Sequence, residues 1–197
     1  MRWVLVFTAG YMVALFLYGQ SVESPLTNIY TAVNLLLLVV FAVIHRWARF
    51  PTSVLWGISL VGLGNMLGGV LLIDGQSLYM AEFVGPIRYD KFFHAAAATV
   101  GVFIAWSAMD RWAGEGYHFG GLVFLTFLVT MGGGAVVEIA ELIGSTLSDV
   151  SVGDYANNAL DLVANGVGAL LGVVVLLTLP TLRGEFRSRR ADDRFRS

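Results

Sequence analysis

The sequence predicts an all-α fold: a polytopic membrane bundle of six transmembrane helices with both termini in the cytoplasm. Three observations predict it. The chain of 197 residues is 57% hydrophobic and only 13% charged, with a mean hydropathy of +0.74, whereas soluble proteins are about a quarter charged. Apolar runs long enough to cross a bilayer recur along the chain. Its basic residues fall between those runs with a strong bias to one side. The net charge of −2 says little about partners, and the absence of cysteine excludes disulfides, thiolate metal sites and cysteine nucleophiles.

The first span is expected over about 3–18. The Tyr18-Gly19-Gln20 that follows is a poor signal-peptide cleavage site, so an uncleaved helix is favoured. Gln20 to Asn28 form a short loop, and the second span, about 29–44, ends in the basic segment from His45 to Arg49. Pro51, Thr52 and Ser53 start the third span, about 54–73, whose Gly57, Gly62, Gly64, Gly68 and Gly69 provide small faces for close helix contact. Asp74 to Arg88 form the longest loop between spans, and its apolar residues place it on the membrane surface. The fourth span covers about 89–109 and the fifth about 120–144, the latter with Gly132-Gly133-Gly134 expected to be tightly packed or locally irregular. The sixth covers about 154–180, and 181–197 is a basic cytoplasmic tail; 1–180 reads as a single domain.

With six spans, Arg2, Arg46, Arg49, Arg111 and the tail arginines share one side, ten of the twelve basic residues, against Arg88 and Lys91 on the other. The positive-inside rule makes the first side cytoplasmic, which predicts a multi-pass protein of the plasma (inner) membrane. The five tryptophans fall near the cytoplasmic interface, and Tyr18, Tyr30, Tyr79, Tyr89 and Tyr155 near the outer one. Membrane lipid is the expected partner, including anionic headgroups at the arginine-rich tail. Nucleic acid is not, because Asp192 and Asp193 interrupt the basic run and no recognition motif accompanies it.

The polar residues are unusual for spans. Asp154, Asn157, Asn158, Asp161 and Asn165 are spaced i, i+3, i+4, i+7 and i+11, so they share one helix face. Asp90 and His94 are one turn apart at the start of the fourth span, next to Tyr89 and Lys91; Glu138 and Glu141 lie near the end of the fifth. All fall on the outer side. A carboxylate at the centre of a membrane helix costs about 2.5–3.5 kcal/mol on insertion scales, so such residues face the bundle interior and pair. Convergence of the last three spans on one outward-facing pocket is expected.

Three of these segments, RYDKFFH, VVEIAELIG and GDYANNALDLVANGVGAL, resemble in order the motifs of the YjdF-like membrane proteins. They are also similar to the VanZ-like family, with its Asp-Lys-x-x-His and Asp-x-x-x-Asn-x-x-Gly patterns. The resemblance covers about Gly64 to Gly172 and carries over Tyr89, Asp90, Lys91, His94, Glu138, Glu141, Asp154, Asp161, Asn165 and Gly168. Asn157, Asn158 and Ala159 depart from the YjdF-like Asp-Thr-Gln, and Glu141 stands where VanZ-like proteins have Gln. The VanZ-like resemblance implies a role at the cell envelope.

Asp and Glu oxygens, Asn carbonyls and one imidazole suit a divalent cation, with His94, Glu138, Glu141, Asp154 and Asp161 as candidate ligands. Such an ion could activate water against a lipid or envelope component, with Asp90, His94, Glu138, Glu141 and Asp161 as the catalytic set and Tyr89, Lys91, Asn157, Asn158 and Asn165 lining the pocket. A metal-free version uses Asp90 to orient His94 as general base and a glutamic acid as general acid. Two other classes fit the same residues. One is a structural network, in which Asp154 caps the sixth helix and Glu138 and Glu141 pair with Lys91, Arg88 or His94. The other is a proton or cation transporter, which the absence of a broken-helix pair or inverted repeat disfavours.

Overall fold

The computed structural model describes residues 1–113, 117–147 and 155–179. Among them are six helices long and apolar enough to cross a membrane: α1 (Arg2–Ser21), α2 (Thr27–Ala48), α3 (Thr52–Val70), α4 (Tyr89–Ala113), α5 (Phe119–Leu147) and α6 (Tyr155–Thr178). The expected all-α membrane bundle is the fold, with only four short strands between α3 and α4. Asp154 and the arginine tail lie outside the described residues. The chain divides into two compact units, Met1–Phe93 and His94–Ser197.

In the first unit, α1 and α2 both pack on α3. Their contact is polar where the chain allows it: the Thr8 and Ser59 hydroxyls lie 2.6 Å apart in a buried position. The loop between α1 and α2 is tighter than expected, because both helices run further and the Ser24 amide donates to the Gly19 carbonyl at 2.9 Å. The glycines of α3 make room chiefly for aromatic rings. A Cβ on Gly68 would meet the ring of Tyr79, one on Gly69 the ring of Tyr30, and one on Gly64 would lie 3.3 Å from the Tyr89 hydroxyl.

Helix α3 ends at Val70, before the expected 73, because Leu72–Ile73 (β1) turns back on Gln76–Ser77 (β2). Asp74 and Gly75 make that two-residue turn with φ of 51° and 80°, the left-handed pair that hairpins favour. After a single 3-10 turn at Leu78–Met80, a second hairpin pairs Glu82–Val84 (β3) with Ile87–Arg88 (β4). The segment read as a plain surface loop is thus two small hairpins.

The 3-10 turn is pinned by Tyr79. Its hydroxyl donates to Asn65 Oδ1 at 2.7 Å, and its ring lies between 5.5 and 5.7 Å from those of Tyr30, Tyr89 and Phe93. Removing a donor from a buried acceptor costs about 1–3 kcal/mol. Tyr79→Phe, which keeps the ring, is therefore expected to lower the detergent melting temperature. An unchanged melt would show that the bond contributes nothing.

In the second unit α4 runs to Ala113, past the expected 109, so Asp110 is helical rather than part of a loop. It is buried and accepts from the Tyr117 hydroxyl at 2.7 Å, which packs the last turn. Helices α5 and α6 pack against each other. The buried column of α5 is Leu122, Thr126, Thr130 and Glu138 at four-residue steps, with Gly134 in register. Thr126 and Thr130 return their hydroxyls to the carbonyls four residues back, so the middle of the column demands nothing from lipid. Helix α5 continues unbroken through Gly132-Gly133-Gly134, contrary to an irregular turn there. Gly134 alone of the three is tight: a Cβ on it would lie 2.8 Å from Asn165 Nδ2, whereas Gly132 and Gly133 have nothing within 4 Å.

The buried column of α6 is Asp161, Asn165, Gly168, Ala169, Gly172 and Leu176. A Cβ on Gly168 would collide with the backbone carbonyl of Ala95, and one on Gly172 would lie 2.9 Å from the Thr99 carbonyl. Thr99 Oγ1 reaches both the Ala95 carbonyl in its own helix and the Gly168 carbonyl across the contact, each at 2.9 Å. Helices α4 and α6 therefore touch backbone to backbone, as small residues permit in membranes.

Candidate functional site

Above that contact the same faces turn polar. His94 sits in the second turn of α4, Glu138 nine residues before the end of α5, and Asp161 six residues after the start of α6. At 1.5 Å per residue these lie roughly 8, 14 and 9 Å along their helices from the same end. All three belong to the second unit, and all are buried, Asp161 completely.

His94 is the centre. Its Nδ1 lies 3.3 Å from Glu138 Oε1, and its Nε2 lies 3.7 Å from Asp161 Oδ1. One imidazole thus stands between two carboxylates carried by two other helices. Glu141, half-buried one turn after Glu138, joins the first side: one donor atom each from His94, Glu138 and Glu141 lie within 4.8 Å of one another.

The amides hold the carboxylates. Asn157 Nδ2 donates to Asp161 Oδ2 at 2.7 Å within α6. Asn165 Nδ2 donates to Glu138 Oε1 at 3.4 Å, and Asn158 Nδ2 approaches the Glu138 carbonyl at 3.5 Å, both across to α5. Gly134 is what lets Asn165 approach that closely. The polar stripe of α6 therefore positions the acids as well as adding to them.

Charge sharpens the point. Three carboxylates and one imidazole, from three helices, occupy a largely buried place. Buried carboxylates persist when they are paired or bind a cation. Oxygen donors with one nitrogen form the ligand set of hard or borderline divalent ions, and inward Glu and His side chains on packed helices are how bundles build such sites.

Other expected site residues lie at the start of α4. Asp90 lies one turn before His94 on α4, and its Oδ2 pairs with Lys91 Nζ at 3.0 Å. Tyr89 donates its hydroxyl to the Gly64 carbonyl at 3.0 Å and so braces α3 within the first unit. Sequence reasoning missed Thr99, the partner of Gly134 and the closeness of Gly168. Spacing gives no sign of Thr99, whereas glycines in register with a polar stripe were a usable signal for the other two. His118, exposed, accepts from the Gly121 amide at 3.2 Å and caps α5.

A family model described as "Predicted membrane protein (DUF2238)" matches residues 3–181. No curated protein and no solved structure matches the chain.

Proposed function

The chain belongs to the DUF2238 family of predicted membrane proteins, the family its three motifs resemble, and from that premise we propose that it holds a divalent cation between α4, α5 and α6. Held there, such an ion would supply the Lewis acid for activating water toward a lipid or another component of the cell envelope. A single observation carries this reading: His94, Glu138 and Glu141 each bring one donor atom within 4.8 Å of the others. These three hold the ion; Asp161, Asn157 and Asn165 hold the ligands; the ion supplies a Lewis acid that lowers the pKa of bound water. The arginine bias puts the termini in the cytoplasm and the site toward the outer face of the plasma membrane, where the VanZ-like resemblance also points.

A structural network is the second reading, and the Asn165 and Asn158 bonds from α6 to α5 favour it, because they tie two helices without any ion. Metal analysis separates the two. Purified full-length protein is expected to carry close to one equivalent of a divalent metal, and the Glu138→Gln/Asp161→Asn variant to lose it. Equal, substoichiometric metal in both would reject the cation and leave the network.

A further inference from the structure

The two faces of His94 are not equivalent. On the Nδ1 side stand Glu138 at 3.3 Å and, one turn on, Glu141. Two ligands about 2.0–2.2 Å from a tetrahedral ion lie about 3.3–3.5 Å apart, so the spacing of Nδ1 and Glu138 Oε1 already matches the edge of a coordination polyhedron. On the Nε2 side Asp161 lies 3.7 Å away, and its other oxygen is occupied by Asn157 at 2.7 Å. Asp161 is the fully buried member of the set, reached from its own helix by an amide that fixes its rotation.

A metal-bound histidine donates its remaining N–H to a carboxylate or carbonyl, which fixes the tautomer and the ring orientation. The geometry points to that role for Asp161: it is a positioning residue, aligned by Asn157, that accepts the Nε2–H of His94 and so presents Nδ1 to a divalent cation beside Glu138 and Glu141. An N–H···O bond is about 2.9 Å long, so Asp161 has to close on the ring by about 0.8 Å when the ion binds. Asn165 plays the matching part for Glu138. The chain Asn157–Asp161–His94 runs outward from the ion, and a change at its far end alters affinity without removing a ligand. This assignment rests on the cation reading above.

The test uses full-length protein in detergent, freed of metal by a chelator and titrated with Zn²⁺ or Co²⁺. Asp161→Asn is expected to bind one equivalent with affinity about 10–100-fold weaker, and Asn157→Ala to weaken it by less than Asp161→Asn does. Glu138→Gln and Glu141→Gln are expected to bind no stoichiometric ion. In ¹⁵N-histidine spectra, assigned with a His94→Gln variant, metal should shift Nδ1 of His94 as the coordinated nitrogen, and Asp161→Asn should move the Nε2–H resonance. Three results overturn the assignment. Wild-type affinity and spectrum in Asp161→Asn would show that the carboxylate orients nothing, with the cation reading intact. Complete loss in Asp161→Asn together with a 10–100-fold weakening in Glu138→Gln would put the ion on Nε2 instead. Wild-type binding in Glu138→Gln would remove the cation reading itself. If Asp161→Asn does not fold, Asn157→Ala decides, and unchanged affinity there counts against the assignment.

Discussion

Gly168→Leu is expected to yield no stably folded protein, while Gly132→Leu, in the same unit, melts at or somewhat above the wild-type temperature. The atom a side chain on Gly168 would strike is the Ala95 carbonyl, part of the backbone of α4. No rotamer of the leucine and no shift of a neighbouring side chain relieves that contact, so α4 and α6 must separate and give up the Thr99–Gly168 bond as well. Overpacking costs about 1–3 kcal/mol where side chains can adjust, and more is expected here. Gly132 has nothing within 4 Å, so leucine there adds only helix propensity, about 0.8–1 kcal/mol in its favour. Circular dichroism melts in detergent check both. A wild-type melt for Gly168→Leu would show that the two helices are not in backbone contact.

Replacing His94 by leucine should be nearly as damaging, for an electrostatic reason. The imidazole stands 3.3 Å from Glu138 and 3.7 Å from Asp161, and an apolar group in its place leaves two buried acids facing each other. Removing one partner from a buried ionic group costs about 3–5 kcal/mol. Measured in chelator, so that no ion contributes, His94→Leu is expected to fall in that range. The cost should shrink by at least about 1 kcal/mol when Glu138→Gln is added, because one of the stranded charges is then gone. Strict additivity in that cycle would mean that His94 and Glu138 do not interact in the folded protein.

The membrane fold and the polar face of α6 were legible because both are periodic properties of the chain. Asp161 and Asn165 can be placed on one side of a helix by counting, and long apolar runs identify spans without any partner. What was not legible depends on which residues meet. Nothing in the spacing of His94 tells that one nitrogen faces α5 and the other α6, or that Tyr89, adjacent in sequence to Asp90, turns to Gly64 instead. The α3 glycines were read as places for helix backbones, yet Gly68 and Gly69 accept tyrosine rings, a choice made by tertiary packing. The Asp74-Gly75 hairpin carries a recognisable local turn signal that hydropathy alone does not show.

The close approach at Gly168 also fixes an angular phase for everything toward the start of α6. Because Gly168 admits only its present facing to the Ala95 carbonyl, Asn165 and Asp161 are aimed by their residue count from that point. An alanine inserted between Asn165 and Gly168 would swing both polar groups by about 100° toward lipid, though every side chain in the cluster survived. A second compensating insertion cannot restore the direction, whereas three or four added residues, close to a full turn, would bring it back while lifting the acids by roughly 5 Å. The helix thus behaves like an indexed shaft, in which the bearing at Gly168 decides where the working groups point.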